Sequence, residues 1–146
     1  MDRELPSYNG VVYPAMTDAM GHMNVQHFVA AFDQAMWRTV LVPGYETDWQ
    51  STRGEGWADV LHETRFAKEA VVGGVFTVST TVEAVGRTSL TLMHRMRDQH
   101  GALLATMKMK SVYFDLKKRE AIPLPDALRQ NAHARLSPAT EPGEPG

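Results

Sequence analysis

The chain has 146 residues, with 15 Lys and Arg against 17 Asp and Glu and a formal net charge of -2, so it lacks a basic field to attract nucleic acid. It contains no cysteine, which excludes a disulfide framework, a thiolate metal site and a cysteine nucleophile. No apolar run approaches the roughly 18 residues a bilayer needs, and Met1-Asp2-Arg3-Glu4-Leu5-Pro6 lacks the hydrophobic stretch of a signal peptide, so one soluble cytoplasmic domain is expected.

Along the chain, Asn9-Gly10 precedes a short strand over residues 11–16. A glycine turn follows, Thr17-Asp18-Ala19-Met20-Gly21-His22-Met23-Asn24, and leads into a helix over residues 25–41. Within that helix Phe28, Phe32, Ala35 and Met36 recur at helical spacing. Val29, Ala30, Ala31, Trp37 and Val40 widen the apolar surface well beyond one stripe, which marks a buried helix. Pro43-Gly44 stops it.

Strands make up most of the remainder. One is expected over residues 57–69, and Gly73-Gly74 turns the chain. Phe76, Val78, Val82 and Ala84 then share one face opposite Thr77, Ser79, Thr81 and Glu83, with Thr80 alone breaking the apolar side. Gly86-Arg87-Thr88 turns into a strand over residues 89–97, and Gln99-His100-Gly101 into one over 102–116. In the latter, Leu103, Ala105, Met107 and Met109 face away from Thr106, Lys108 and Lys110. A buried helix followed by a meander predicts an α+β fold, a curved antiparallel sheet of about five strands around a long helix, in one domain over residues 1–125. Residues 126–136 read as a loose helix in a C-terminal tail, and the proline-rich residues 137–146 as disordered.

The chemistry concentrates at the turn before the helix. A helix start offers unpaired N–H groups and the positive end of a dipole, which suit a developing oxyanion. A carboxylate beside that spot, here Asp18, can serve as base or nucleophile toward a carbonyl. The competing reading of Asp18 is a turn residue that accepts backbone N–H bonds. Asn24, just before the apolar run, is a natural N-cap. His22 and His27 do not stand at the helical spacing of paired metal ligands, so no metal is expected.

A helix wrapped by a long antiparallel sheet, with Asp18 and Gly21 entering the helix, resembles the hotdog fold, and more narrowly the 4-hydroxybenzoyl-CoA thioesterase-like acyl-CoA thioesterases. The likeness runs from Val11 to Pro125 and rests on Thr17-Asp18-Ala19-Met20-Gly21, Gly73-Gly74, Gly86-Arg87-Thr88-Ser89, Gly101 and Leu124-Pro125. The form Met20-Gly21-His22-Met23-Asn24 resembles a subgroup that includes enzymes of carnitine and betaine breakdown.

The resemblance implies hydrolysis of a small or medium acyl-CoA, with Asp18 attacking the thioester carbonyl or activating water and the backbone of Gly21 and His22 holding the carbonyl oxygen. It further implies substrate contacts from Asn24, His27, His62 and Glu63, coenzyme A phosphate contacts from Arg87 and Ser89, no cofactor beyond the substrate's own coenzyme A, and a homodimer or homotetramer. A non-catalytic acyl-CoA-binding protein is the alternative. A hotdog hydratase would place Asn-Pro after the aspartate and a histidine five residues on, whereas His22 is four residues after Asp18.

Overall fold

The structure, a computed structural model, describes residues 4–136. Its main layer is an antiparallel sheet in which β1 (Leu5–Val11), β2 (Glu55–Phe66), β3 (Val75–Val85), β4 (Ser89–Asp98) and β5 (Leu103–Asp115) lie in the spatial order β1-β3-β4-β5-β2. A two-residue β6 (Glu120–Ala121) pairs with β5. The edge strands are therefore β1 and β2. Three helices complete the fold: α1 (Val25–Thr39), the single-turn α2 (Trp49–Thr52) and α3 (Asp126–Ala134).

The expected meander is present, but the first strand stands earlier than its pattern suggested. Residues 5–11 form β1, paired from Leu5↔Thr80 to Val11↔Val75, while Pro14–Met16 is a tight helical turn. Long-range pairing with β3 decides this, since the local signal in a seven-residue strand containing Pro6 and Gly10 is poor. Gly10 also packs against Phe76 so closely that an added Cβ would stand 2.7 Å from the ring.

On α1, the Asn24 side chain accepts from the Gln26 N–H at 3.0 Å, as an N-cap does. The helix ends at Thr39, with Val40 as its C-cap, because Val40 O accepts from Tyr45 N as the chain turns at Pro43-Gly44. Phe28, Phe32, Ala35 and Met36 are buried against the sheet, where they join Val78, Val82, Leu92, Met96, Met107 and Met109 in one cluster. Burying a large aromatic or aliphatic side chain is worth roughly 1.5–3 kcal/mol, so this cluster dominates the favourable side of folding.

Along β3 the buried face carries Phe76, Val78, Thr80 and Val82 as expected, but a bulge between Val82 and Ala84 turns Ala84 out to solvent. Thr80, the break in the apolar pattern, belongs to a buried polar chain. Ser7 Oγ donates to Val78 O, Thr80 Oγ1 donates to Ser7 Oγ, and Thr80 Oγ1 in turn meets His94 Nδ1 at 2.7 Å. Each hydroxyl has one proton, and Val78 O can only accept, so His94 must carry its proton on Nδ1. His94 Nε2 is then a bare acceptor; it is buried and without a partner among the described residues.

The helix expected over residues 126–136 is present as α3, but it is packed on the domain. α3 docks on the domain through Leu128 and Ala132, both buried, and Asn131 Nδ2 donates to Pro43 O at 2.9 Å. Leu136 then bridges to Val82. The amphipathic spacing of two apolar residues was too sparse to reveal this docking. The disorder expected for residues 137–146 lies outside the described residues.

Candidate active site

Asp18 sits between two tight turns, and its carboxylate takes the turn role that its sequence position offered. Its Oδ1 accepts from the Met20 N–H at 2.8 Å and, at a long 3.5 Å, from the His22 N–H. Its own N–H donates to His22 O at 2.9 Å, closing the loop. Gly21 occupies the left-handed region at φ 82, a conformation that costs an L side chain roughly 1–2 kcal/mol. Asp18 Oδ2 has no partner among the described residues, so one oxygen holds the turn while the other faces outward.

The backbone donors at this turn divide in a way the sequence did not reveal. Gly21 N–H is used by Asp18 O at 3.0 Å, and His22 N–H leans on the Asp18 carboxylate. Met23 N–H goes to Ala70 O and Asn24 N–H to Met16 O, both at 2.8 Å. The next residue, Val25, opens α1, and its N–H meets no acceptor among the described residues. At the helix start the free donor is thus Val25. The helix boundary itself was the signal for it, since the first N–H groups of a helix are unpaired by construction.

Asp18 and Val25 line one cleft of about 400 Å³ together with Met20, His22, Met23, Phe28 and the segment from Phe66 to Ala70. Phe28 and Phe66 meet edge to face, with ring centroids 5.2 Å apart, and form an apolar wall. Across the cleft, His22 Nε2 lies 3.1 Å from Glu69 Oε2. Phe32 lies in the core stacked on His94, and Trp57 belongs to an aromatic cluster with Tyr45 and Tyr113, so neither lines this cleft.

Other residues named from the sequence are spread over the domain. His27 is half-buried on the first turn of α1 and lies outside the cleft. His62 and Glu63 point to opposite sides of β2, as neighbours on a strand must. His62 Nε2 meets Asp59 Oδ2 at 2.9 Å, and Asp59 Oδ1 accepts from Ser111 at 2.6 Å, whereas Glu63 reaches Arg65 at 3.5 Å. Opposite them on α1, the carboxyl of Asp33 is held above its usual range by burial, and then by the nearby charge of Asp59, against which His62 acts weakly.

Arg87 and Ser89 stand at the other end of the sheet from Asp18. The turn that holds them follows β3, whose 11 residues span about 35 Å at 3.3 Å per residue. Ser89 is buried, and Arg87 is exposed. Within one chain these residues do not join the cleft.

Among the described residues no group of three or more His, Asp or Glu is arranged to hold a metal ion. No helix among them is long and apolar enough to cross a membrane.

Solved structures share this fold. A hypothetical protein from Staphylococcus aureus in complex with CoA superposes with a TM-score of 0.85 at 16% identity, over 96% of this chain and 91% of that one. A 1,4-dihydroxy-2-naphthoyl-CoA thioesterase from Synechocystis gives 0.75 at 20% identity, over 86% and 93%. A probable thioesterase from Escherichia coli gives 0.76 at 17% identity, over 91% and 100%. A comparison with curated protein sequences finds no match. Residues 12–132, from the end of β1 through most of α3, match the thioesterase-like superfamily, and the chain belongs to that superfamily.

Proposed function

We propose that this protein, a thioester hydrolase by family, cleaves a small or medium acyl-CoA to the free acid and coenzyme A. In this reading α1 is the central helix of a hotdog, with the sheet curled around it. The observation that carries the reading is that Asp18, with an unpartnered carboxylate oxygen, and Val25, with an unpaired N–H, line one cleft with an apolar wall of Phe28 and Phe66. A thioester carbonyl set between them has its oxygen on the helix N-terminus and its carbon open to Asp18. Asp18 either attacks that carbon or takes the proton of the attacking water. Negative charge then develops on the carbonyl oxygen, where the Val25 N–H and the helix dipole stabilise it. A thioester is already activated, so no cofactor beyond the substrate's own coenzyme A is required.

The reading includes a second copy of the chain. β2 is an edge strand with Val60 and Leu61 exposed, and an unpaired edge of this kind calls for cover. Antiparallel pairing of β2 with its own copy reverses the strand direction. The Arg87 end of one copy then approaches the Asp18 end of the other, and Arg87 becomes available to the coenzyme phosphates. Short, branched, aromatic and cationic acyl-CoAs, screened by release of free thiol, test the activity. Absence of turnover on every class would reject it.

A further inference from the structure

The titratable side chains that line the Asp18 cleft are Asp18, His22, Lys68 and Glu69. Lys68 is turned to Asp98, with its Nζ 3.2 Å from Oδ2, and an ammonium has no acceptor to offer. His22 and Glu69 face one another on a backbone that is fixed from both sides. The Met23 N–H donates to Ala70 O at 2.8 Å, and His22 forms an antiparallel bridge with Val71. Ala67 and Lys68 both donate their N–H to Leu104 O, at 2.8 and 3.1 Å, which pins the segment before Glu69 to β5. On this frame Glu69 Oε2 stands 3.1 Å from His22 Nε2.

The pair fixes where the imidazole keeps its proton. A carboxylate only accepts, so in the neutral ring Nε2 carries the proton, and Nδ1, without a partner among the described residues, is a bare acceptor. Glu69 thereby sets the tautomer and steadies the imidazolium once Nδ1 has taken a proton. As a stability device the pair is poor, because Glu69 is 71% exposed and exposed ion pairs contribute little. The reaction has a use for it. A carboxylate that attacks the thioester carbon is consumed as an acyl anhydride, and it cannot then activate the water that must cleave that anhydride. The second half-reaction needs another base in the same cleft.

We propose that His22 is the base of that second half-reaction, with Glu69 as its positioning residue. In the first step Asp18 Oδ2 bonds to the acyl carbon, the C–S bond breaks and the thiolate of coenzyme A leaves. In the second step a water attacks the acyl carbon of the anhydride and gives one proton to His22 Nδ1. The bond between the acyl carbon and Asp18 breaks, the free acid forms, and the Asp18 carboxylate returns. The imidazolium sheds its proton to solvent, which protonates the thiolate, so that thioester and water yield acid and thiol. This inference rests on the thioester-hydrolase reading of the Asp18 cleft and commits Asp18 to the nucleophilic form of it.

Rapid mixing of the full chain with its best acyl-CoA, read by free thiol, separates the two steps. His22→Ala should release a stoichiometric burst of thiol at the wild-type rate and then turn over roughly 10²–10⁴-fold more slowly, the range for a lost base. The quenched variant should carry the acyl mass on the peptide that contains Asp18. Added imidazole should speed the slow phase of His22→Ala and leave the wild type unchanged, a response that a merely structural role does not give. Glu69→Gln should lower kcat by a smaller factor, with KM nearly unchanged. If His22→Ala does not fold, His22→Asn carries the same comparison. A slow variant with neither burst nor acyl-enzyme would mean that Asp18 acts as base in a single step, and would overturn the proposal. Wild-type turnover in the variant would do the same, as would an acyl-enzyme that imidazole fails to release. A wild type that hydrolyses no thioester would instead remove the hydrolase reading on which the proposal stands.

Discussion

Acid should unfold this domain through His94, and the size of the effect follows from its surroundings. His94 is buried on β4, stacks on Phe32 at 5.9 Å, and holds its Nδ1 proton on Thr80. Burial disfavours the imidazolium and pushes its pKa from 6.5 down to about 3, the smaller effects of Asp59 and His62 opposing one another. The unfolded chain therefore binds this proton more readily than the native one. The stability contribution is fully present above pH 6.5 and is lost as pH falls toward 3. At about 1.4 kcal/mol per unit, the loss amounts to about 2 kcal/mol by pH 5, a large share of the roughly 5–15 kcal/mol typical of a domain. Glu4, Asp98 and Asp115 have lowered carboxyl pKa values and also lose stability in acid, at lower pH, whereas the raised Asp33 carboxyl acts in the opposite sense, so comparison with a His94 variant over the window from 6.5 to 5 isolates the imidazole. Urea unfolding at half-unit pH steps should show this slope in the wild type and its absence in His94→Gln, whatever offset the substitution adds. Parallel curves for the two proteins over that window would refute the argument and mean that His94 is already protonated or reached by water in the native state.

Replacing Asp18 by Asn should lower kcat on the best thioester by roughly 10²–10⁴-fold while circular dichroism stays native, and near wild-type turnover would remove Asp18 from the chemistry. Phe32→Ala should cost about 3–5 kcal/mol in chemical denaturation, since the ring is wholly buried between α1 and the sheet; a loss under roughly 1 kcal/mol would contradict that burial. Gly21→Ala should destabilise by about 1–2 kcal/mol through its left-handed backbone alone, because no atom crowds the added Cβ. Arg87→Ala should raise KM for an acyl-CoA by a factor that shrinks with added salt and spare a thioester lacking the nucleotide. Analytical ultracentrifugation supplies the control, because a monomeric enzyme would leave Arg87 at the end of β3 far from the cleft.

Local pattern was enough for the helix and for most of the sheet, because helical and strand periodicities are written in consecutive residues. Phe28, Phe32, Ala35 and Met36 announced a buried face, and the Asn24 cap and the Pro43-Gly44 stop bracketed it. Asp18 before Gly21 was legible for the same reason, since turn, carboxylate and helix start all lie within eight residues. Pairing across the fold was not legible. Only the register of β1 on β3 moved the first strand to Leu5–Val11, and only docking against Pro43 and Val82 made α3 part of the domain. Thr80 looked like a flaw in an apolar strand until Ser7 and His94, 73 and 14 residues away, gave it partners. The cleft was hidden in the same way. Periodicity ranks residues by face, yet it carries no distance between Asp18 and the Phe66–Ala70 segment, nor between Asp18 and Arg87 at the far end of β3. Those separations come from closing long loops, whose entropy is offset by contacts distributed over the whole sheet rather than by any local run of sequence.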